Sequence, residues 1–340
     1  MNDISGFWHG AACLSGRLDF SVALHEYGQQ LSDLSEQELT RAGISLRHQK
    51  RLRNTPPLHT EYRALRLCDP DYPDSLRDLP FAPPVLFYRG NIALLSEPCI
   101  AMVGARRCTQ RGRDLTHKMA SELAQHGLVI VSGLAYGIDS AAHRACPSRT
   151  IAVLGEGLDK AMQGRKASQI ESIVGAGGLV MSEFPPKVPA SRYTFPQRNR
   201  IIAGLGTATV VIEATMRSGS RITARHALDA GKDVMAVPGH PFDVTSAGCN
   251  ALIQHGAALV QNATDVLHEI GLEMVTAPVQ QPNCPLEKRV IEALDTVLTF
   301  DELVTKTSLG VPQLITSIAS LELTGWVQRL PGDRLSRRNL

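Results

Sequence analysis

Runs of consecutive apolar residues recur through the middle of the chain, and polar segments with helical spacing separate them. The first two runs lie within 100–106 and 128–134, and each stops at a glycine, Gly104 and Gly133. An apolar run of this length is typical of a strand that is buried on both faces, as in a parallel sheet. The intervening segment, 111–126, has apolar residues every three or four positions, which is the spacing of an amphipathic helix. Together these segments predict a βαβ unit.

The same alternation continues to about residue 271 and predicts the fold class. Further strands are predicted at 150–154, 179–182, 208–212 and 233–237. Further helices are predicted at 138–145, 167–174, 197–205 and 220–230. Strands that alternate with helices imply an α/β fold with a doubly wound parallel sheet and right-handed crossovers. Ligands of such sheets bind at the carboxyl ends of the strands, which is where the glycines of this chain fall.

Two segments of different character precede this region. Residues 1–60 predict a small helical domain, in which Ser35 and Glu38 form a capping box and Gly43 ends the helix. Residues 69–97 are rich in proline around a short predicted strand at 85–88, and they form an irregular entry to the main domain.

The last segment of the chain predicts a winged helix. A linker is predicted at 272–284, followed by helices at 285–294, 300–304 and 311–323 and by a hairpin of 326–330 and 334 onward around a turn at 331–333. Helix-turn-helix units often bind DNA, but many serve only as protein interaction domains, so both roles stay open. The predicted domains are therefore 1–60, 61–275 and 285–340.

Composition narrows the class of protein. With 43% hydrophobic and 20% charged residues, the chain is typical of a globular protein. It contains neither an apolar run long enough for a membrane helix nor a signal peptide pattern, and its seven cysteines are scattered without a Cys-x-x-Cys pair. These features predict reduced thiols, a cytoplasmic location and no contact with a membrane. The net charge is only +2, so any proposal of nucleic-acid binding depends on local clustering of charge.

The common nucleotide and metal signatures are missing from the sequence. A dinucleotide site needs Gly-x-Gly-x-x-Gly after the first strand, and the segment 104–108 does not have that pattern. Residues 155–157 begin with Gly-x-Gly but continue with an acid, which would repel a pyrophosphate. No P-loop sequence occurs, and the eleven histidines show no metal-ligand spacing. We expect no metal and no cofactor.

One pair of residues has the spacing of a general acid and base. Asp139 and His143 are four residues apart on a predicted helix, so their side chains could act together. The simpler interpretation, which we favour, is a local hydrogen bond near the start of that helix.

Basic residues gather in the loops at the predicted ligand-binding edge. They are Arg106, Arg107, Arg111 and Arg113 after the first strand, Arg165 and Lys166 after the third, Lys187, Arg192, Arg198 and Arg200 within the acid-free segment 184–212, and Arg217 and Arg221 around Ser218-Gly219-Ser220. A helix start with small residues favours an anion, and guanidinium groups suit phosphate. Tyr193 and Phe195 lie within the acid-free segment, and unpaired bases stack on aromatic faces. This combination favours a strand of nucleic acid, with a single phosphate ligand or purely structural arginines as the alternatives.

Several of these segments resemble motifs of the DNA-processing protein DprA (Smf) family. The motifs, in the order of the family and over roughly residues 70–270, are Val103-Gly104-Ala105-Arg106, the segments 132–143, 152–159, 182–186 and 195–205, Glu213, the segment 218–224 and Ala236-Val237-Pro238-Gly239. The flanking segments are similar, less specifically, to the N-terminal SAM-like and C-terminal winged-helix domains of the family.

The resemblance implies a Rossmann-like protein that binds single-stranded DNA and has no known catalytic activity. It further implies that the protein protects incoming DNA during natural transformation, loads the recombinase RecA and forms a homodimer through the central domain. Carried over by motif, the DNA contacts are Gly104, Arg106, Phe195, Arg198, Asn199, Arg200, Ser218, Gly219 and Ser220. To these the candidate interface adds Ala105, Gly133, Arg165, Lys166, Arg192 and Arg221 from the loops at the same edge, and we expect no catalytic residue.

The chain departs from the family pattern at three places. Ala105 stands where the family usually has a serine that could reach a phosphate. After Asp159 the usual Tyr-Pro is replaced by the segment 161–166, in which Arg165 or Lys166 could supply the missing contact. The segment from His143 to Thr150 is also shorter than usual.

An enzyme that acts on a nucleotide is the alternative function, because related Rossmann-like folds include nucleoside-monophosphate phosphoribohydrolases. That activity needs a Pro-Gly-Gly-x-Gly-Thr loop with an acid nearby, and the loop is missing here. Glu213 and Asp139 are the carboxylates that could serve such a reaction.

Overall fold

The computed structural model describes residues 2–272, 284–323, 326–330 and 334–337. The chain divides into two compact units, 1–274 and 275–340. Nearly all of the predicted linker at 272–284 and the whole of the predicted turn at 331–333 lie outside the described residues. The predicted 1–60 domain belongs to the same compact unit as the sheet, and the division of the chain into three domains stays a prediction.

The N-terminal segment is helical, as its pattern indicates. Its elements are β1 (Asn2–Ile4), α1 (Gly6–Cys13), α2 (Ser21–Tyr27), a 3₁₀ helix (Gly28–Asp33), α3 (Glu36–Arg41), α4 (Leu46–Asn54) and β2 (Leu58–Thr60). The predicted capping box is present at the start of α3: Ser35 Oγ accepts from the N–H of Glu38, whose carboxylate accepts from the N–H of Ser35. Gly43 has φ +79° directly after the end of α3, which is the conformation expected of a glycine there. The antiparallel pair of β1 with β2 was not predicted, because strands of three residues carry no clear alternation.

An antiparallel edge precedes the parallel sheet. It consists of β3 (Arg63–Arg66), α5 (Asp74–Arg77) and β4 (Val85–Gly90), followed by a 3₁₀ turn (Ile92–Ser96). The strand predicted at 85–88 is therefore present and two residues longer. It pairs antiparallel with β3 on one side and with the strand Leu179–Ser182 on the other, so the sheet is mixed at this edge rather than parallel throughout.

The remaining seven strands of the main sheet are parallel, and the predicted fold class is confirmed. The strands are β5 (Cys99–Val103), β6 (Val129–Ser132), β7 (Thr150–Leu154), β8 (Leu179–Ser182), β9 (Ala208–Val211), β10 (Asp233–Ala236) and β11 (Ala258–Leu259). The helices are α6 (Gln110–Gln125), α7 (Ile138–Ala145), α8 (Leu158–Met162), α9 (Ala167–Gly175), α10 (Thr194–Leu205), α11 (Gly219–Asp229), α12 (Ala247–Gln254) and α13 (Ala263–Glu269). The strand order is β11-β10-β9-β5-β6-β7-β8-β4-β3, so β5 lies in the middle of the sheet.

Helices cover both faces of this sheet, which explains the uninterrupted apolar runs. Along β5, Ile100 and Met102 point into the core on one face, while Ala101 and Val103 point into the core on the other. All four are at most 3% exposed, so alternate residues of one strand fill two cores. With β9 and β6 on either side of it, β5 directs its loop to the centre of the carboxyl edge.

The C-terminal unit has the order of elements predicted for a winged helix. They are α14 (Pro285–Ala293), β12 (Leu298–Thr299), α15 (Phe300–Thr307), α16 (Val311–Leu323), β13 (Val327–Leu330) and β14 (Arg334–Arg337). The three strands form an antiparallel sheet in the order β12-β14-β13. Within the described part of the chain, none of the helices is long and apolar enough to cross a membrane.

Candidate nucleic-acid interface

A cleft of about 430 Å³ opens at the carboxyl edge of the sheet, between the loops that follow β5, β6 and β9 and the start of α10. Ten of the fifteen predicted contact residues line it: Gly104, Ala105, Arg106, Arg192, Phe195, Arg198, Asn199, Ser218, Gly219 and Ser220. Segments that are far apart in sequence therefore meet where the strand order predicts a ligand site.

The loop after β5 places two arginines at the mouth of the cleft. A Cβ on Gly104 would lie 2.6 Å from Cγ1 of Ile138, so only glycine lets the loop pack this closely on α7. The buried Ala105 accepts a hydrogen bond from the N–H of Ile138 at 3.3 Å. Arg106 and Arg107, which follow, are exposed. The loop is thus fixed at its glycine and presents cations beyond it.

Phe195, near the start of α10, lies between two cations. The guanidinium carbon of Arg106 is 5.1 Å from the centre of the ring, and Nζ of Lys166 is 6.0 Å from it. Nζ of Lys166 also pairs with Glu156 at 3.0 Å. A Cβ on Gly155 would lie 2.8 Å from Cδ1 of Phe195, so the glycine after β7 makes room for the ring. An aromatic face flanked by positive charge suits a base and its phosphate.

The start of α11 provides an open anion site on the other side of the cleft. Ser218 is the N-cap, and its Oγ lies 2.7 Å from Oγ of Ser220. No atom of the described residues lies within 4 Å of the position that a Cβ on Gly219 would take. Nδ2 of Asn199 donates to the carbonyl of Gly219 at 3.4 Å, which ties α10 to this turn. The N–H of Ser220 donates to Oγ of Ser218 at 3.4 Å, so the turn is partly capped by its own serine. The helix dipole and the two serine hydroxyls still favour a phosphate here.

The start of α6 is different, because the protein fills it with its own carboxylate. Glu213 accepts from the N–H of Thr109 at 2.9 Å and from its Oγ1 at 2.5 Å. A Cβ on Gly112 would lie 2.5 Å from Oε1 of Glu213, so the glycine lets the carboxylate approach the first turn. In dinucleotide-binding folds this helix start, after the central strand, holds the pyrophosphate. The corresponding position is occupied here by Glu213.

The floor of the cleft is formed by two buried side chains of opposite charge, Arg198 and Asp139. Arg198 is 4% exposed, and its Nη1 donates to the carbonyls of Gly133, at 2.5 Å, and Val153. Asp139 accepts from the N–H groups of Gly133, at 3.2 Å, and Ala135, at 3.4 Å. Burial raises the pKa of Asp139, partly opposed by Arg198 and these N–H groups, and burial lowers the pKa of Arg198 to about 10. The pair supports the cleft from below.

His143 supports the same loop from the neighbouring turn of α7. Its Nε2 accepts from the N–H of Leu134 at 3.3 Å, and its Nδ1 lies 2.7 Å from Oγ1 of Thr150. Burial, with a smaller effect from Arg198, lowers the pKa of His143 to about 3, so the imidazole is neutral. Asp139 and His143 therefore make local hydrogen bonds to the loop after β6, which agrees with the interpretation favoured from the sequence.

Five predicted contact residues lie outside the cleft. Gly133 lies beneath it and accepts from Arg198, while the exposed Arg165 and the half-buried Lys166 lie between α8 and α9. Arg200 points away: its Nη2 pairs with the buried Glu183 at 2.6 Å. Arg221 donates to the carbonyl of Met216 at 2.7 Å. The helical period explains the orientation of Arg200, because this residue lies on a different face of α10 from Phe195.

Some residues of the cleft were not in the predicted set. Arg107 had a signal, since it belongs to the basic loop after β5, and Ile222 and Thr223 lie within the motif 218–224, but Thr215 had none. At the outer end of the cleft the guanidinium of Arg192 stacks 4.7 Å from the ring of Tyr193, which is 69% exposed.

Comparisons with known proteins agree with this arrangement. The chain is 44% identical to the DNA processing protein DprA of Streptococcus pneumoniae over 62% of this chain and 74% of that protein. It is 33% identical to protein Smf of Escherichia coli over 94% of this chain and 92% of that protein.

Two solved structures match the fold. The crystal structure of the Streptococcus pneumoniae DprA has a TM-score of 0.63 at 35% identity, over 78% of this chain and 98% of that one. DNA processing protein A from Helicobacter pylori, whose structure concerns its single-stranded DNA binding mode, has a TM-score of 0.57 at 28% identity, over 62% and 96%.

Family models account for both units of the chain. Residues 63–271 match the model of DNA recombination-mediator protein A, and residues 275–333 match the DprA winged helix domain. The first match alone spans more than half of the chain, and it contains every residue that lines the cleft. The resemblance noted in the sequence is thereby confirmed. The chain belongs to the DprA/Smf family of DNA recombination mediators.

Proposed function

We propose that this protein binds single-stranded DNA in the cleft at the carboxyl edge of its sheet. One observation carries the proposal: the exposed Arg106 lies over the ring of Phe195, beside the open start of α11. The ring offers a stacking face for a base, and Arg106 and the N–H groups of α11 offer two places for phosphates. The Helicobacter pylori relative, described by its single-stranded DNA binding mode, supports the same assignment.

The contact set follows from the positions of the side chains. We assign direct contacts to Gly104, Ala105, Arg106, Arg192, Phe195, Asn199, Ser218, Gly219 and Ser220. Arg198 and Gly133 serve as the floor of the site, and Lys166 adds a second positive charge near the ring of Phe195. Arg165 is an outlying contact for a longer strand, whereas Arg200 and Arg221 keep their internal partners.

The cellular role that fits this binding is that of a mediator in recombination. We propose that the protein acts in the cytoplasm as a homodimer, protects incoming single strands during natural transformation and loads RecA onto them. The support is membership of the DNA recombination-mediator family together with a site suited to an unpaired strand. The winged helix serves either DNA or a protein partner in this scheme.

Fluorescence anisotropy of a labelled oligo-dT, titrated at two salt concentrations with an equal-length duplex as competitor, tests the binding. We expect tight binding that weakens with salt and that the duplex does not displace. Absence of binding at low salt would reject the proposal. Stimulation of RecA filament formation on single strands coated with a single-strand-binding protein tests the mediator role separately.

A nucleotide-processing enzyme is the other candidate, and the geometry disfavours it. Glu213 is hydrogen-bonded to Thr109 at the start of α6 and does not line the cleft. Asp139 borders the cleft but is only 6% exposed, and its carboxylate accepts from the backbone N–H groups of Gly133 and Ala135. Glu213 therefore does not face a ligand in the cleft, and the carboxylate of Asp139 is already occupied by hydrogen bonds to the loop after β6. Incubation with nucleoside monophosphates tests this: release of free base would favour the enzyme, and we expect none.

A further inference from the structure

A buried polar cluster joins the N-terminal helices to α10. At its centre is Glu183, which directly follows β8 and has no exposed surface. One atom of it, Oε2, accepts three hydrogen bonds: from Oγ of Ser15 at 2.5 Å, from Nε2 of Gln197 at 3.2 Å and from Nη2 of Arg200 at 2.6 Å. Ser15 belongs to the loop after α1, and the other two donors belong to α10. The N-terminal segment thus shares one carboxylate with the helix of the cleft.

A second contact joins the loop after α1 to α10. Nε2 of Gln197 also donates to the carbonyl of Ser15, at 2.8 Å. The next residue, Gly16, has φ +69°, and a Cβ added there would overlap the amide of Gln197. Glycine is therefore required at residue 16 both by the backbone and by the closeness of Gln197.

The contacted residues alternate along α10 with those that line the cleft. Gln197 lies two residues after Phe195 and two before Asn199, so the first turns of one helix are held by the N-terminal loop on one side and face the cleft on the other. A helix moves as a rigid element, so a shift at Gln197 also changes the distance between Phe195 and Arg106.

We propose that the loop of Ser15 and Gly16 positions α10 for single-stranded DNA, so that the N-terminal helices set the affinity of a cleft they do not line. The inference rests on the proposed function. Ser15 and Gln197 are positioning residues in this scheme, acting through the helix rather than on the DNA.

The cluster is sensitive to the loss of a hydrogen bond, because its groups are buried and have few other hydrogen-bond partners. Oε1 of Glu183 and Nη1 of Arg200 have no hydrogen-bond partner among the described residues. Loss of the Ser15 hydroxyl or displacement of Gln197 leaves the carboxylate with fewer donors, and a poorly satisfied buried carboxylate favours rearrangement of the elements around it.

The test compares two glycines of the N-terminal helices in the full-length protein. Gly16→Ala adds a methyl group against Gln197, whereas Gly43→Ala adds one where no atom of the described part of the chain lies within 4 Å. Both positions have similar positive φ, +69° and +79°, so the backbone penalty is matched. With oligo-dT as the probe, we expect Gly16→Ala to raise Kd roughly 2- to 30-fold, and Gly43→Ala to change it less than about twofold. The slope of log Kd against log salt should stay the same in both, because no phosphate contact is removed.

Two less disruptive variants at Ser15 test the inference if Gly16→Ala does not fold. Ser15→Ala removes one donor to Glu183 without strain and should weaken binding in the same direction, while Ser15→Thr keeps the hydroxyl and should restore it. Equal Kd values for Gly16→Ala and Gly43→Ala, or an unchanged Kd for Ser15→Ala, would overturn the inference while leaving the proposed function intact. Failure of the unmodified protein to bind oligo-dT would instead remove the proposed function itself.

Discussion

The guanidinium of Arg106 and the ring of Phe195 face each other across the cleft, 5.1 Å apart, although one follows the central strand and the other begins α10. Arg106 is exposed, whereas the ring is half-buried against Gly155. Gly104 lets the loop after β5 pack on Ile138, and Gly155 leaves room for the ring, so two glycines allow the close approach of the segments that carry this pair. A base can stack on the ring, and the arginine can then meet the adjoining phosphate.

Replacing Arg106 by alanine should weaken binding of oligo-dT and reduce its salt dependence. One phosphate contact fewer should change the slope of log K against log salt by about 0.7 on a single strand. Arg225→Ala is the matched control, because Arg225 is exposed on α11 outside the cleft and pairs only loosely with Asp229, at 3.9 Å. Equal slopes for the two variants would remove Arg106 from the contact set.

Replacing Phe195 by alanine should reduce the binding free energy by about 1–3 kcal/mol, since a stacked base loses its platform. Phe195→Tyr, which keeps the ring, should bind nearly as well as the unmodified protein. Phe242 is 91% exposed and does not line the cleft, so Phe242→Ala controls for the loss of any surface aromatic. Comparable losses for Phe195→Ala and Phe242→Ala would contradict stacking at Phe195.

Introducing an acid at the start of α11 should move stability and binding in opposite directions. Gly219→Asp places a carboxylate where the helix dipole favours one, a gain of about 0.3–1 kcal/mol in stability, and the position is sterically open. The same charge occupies the proposed phosphate site and should weaken oligo-dT binding. Gly219→Asn is the uncharged control. Thermal unfolding and anisotropy measure the two effects, and unaltered DNA affinity of the Asp variant would argue against a phosphate at this turn.

Acidification should destabilise the protein through His143. Burial lowers its pKa from 6.5 to about 3, so between these values the unfolded chain binds a proton that the folded chain does not. Its contribution to stability is therefore complete above about pH 6.5 and is lost as the pH falls towards 3, with a slope of up to about 1.4 kcal/mol per pH unit. Asp139 and Glu183, whose pKa values are raised, act in the opposite direction.

Urea unfolding of the protein and of His143→Gln at pH 7, 6 and 5 isolates this effect. Glutamine keeps a hydrogen-bonding side chain but does not titrate. The difference in unfolding free energy between the two proteins should shrink as the pH falls, because only the unmodified protein loses the histidine contribution. A constant difference would show that His143 titrates normally in the folded state.

The strands of the main sheet were predictable because each is buried on both faces and therefore has an uninterrupted apolar sequence. Six of the seven parallel strands were placed within two residues, but β11, of only two residues, was not predicted. At the other edge, β4 was predicted as a strand, but β3 and the antiparallel pairing were not, since periodicity gives no information on strand direction.

The sequence predicted the location of the candidate site at the carboxyl edge of the sheet, but it did not predict which side chains point into the cleft. Arg106 and the turn at 218–220 were predicted because they lie in loops that follow strands, and the carboxyl ends of parallel strands meet at one edge of the sheet. Arg198 and Arg200 belong to the same basic segment, yet one lies in the floor and the other pairs with Glu183. Which way an arginine points depends on the buried partners available to it, and those partners come from distant parts of the chain.

The carboxylate of Glu213 at the start of α6 affects how well free nucleotides compete with DNA for the sheet edge. Because this chain supplies its own anion at the position that would attract a free nucleotide, we expect soluble nucleotides to compete poorly for the sheet edge. The cleft itself offers separate, weaker positions for phosphates and bases. Only a polymer can occupy several of these positions at once. We therefore expect the edge to select its ligand by chain length as much as by chemical identity.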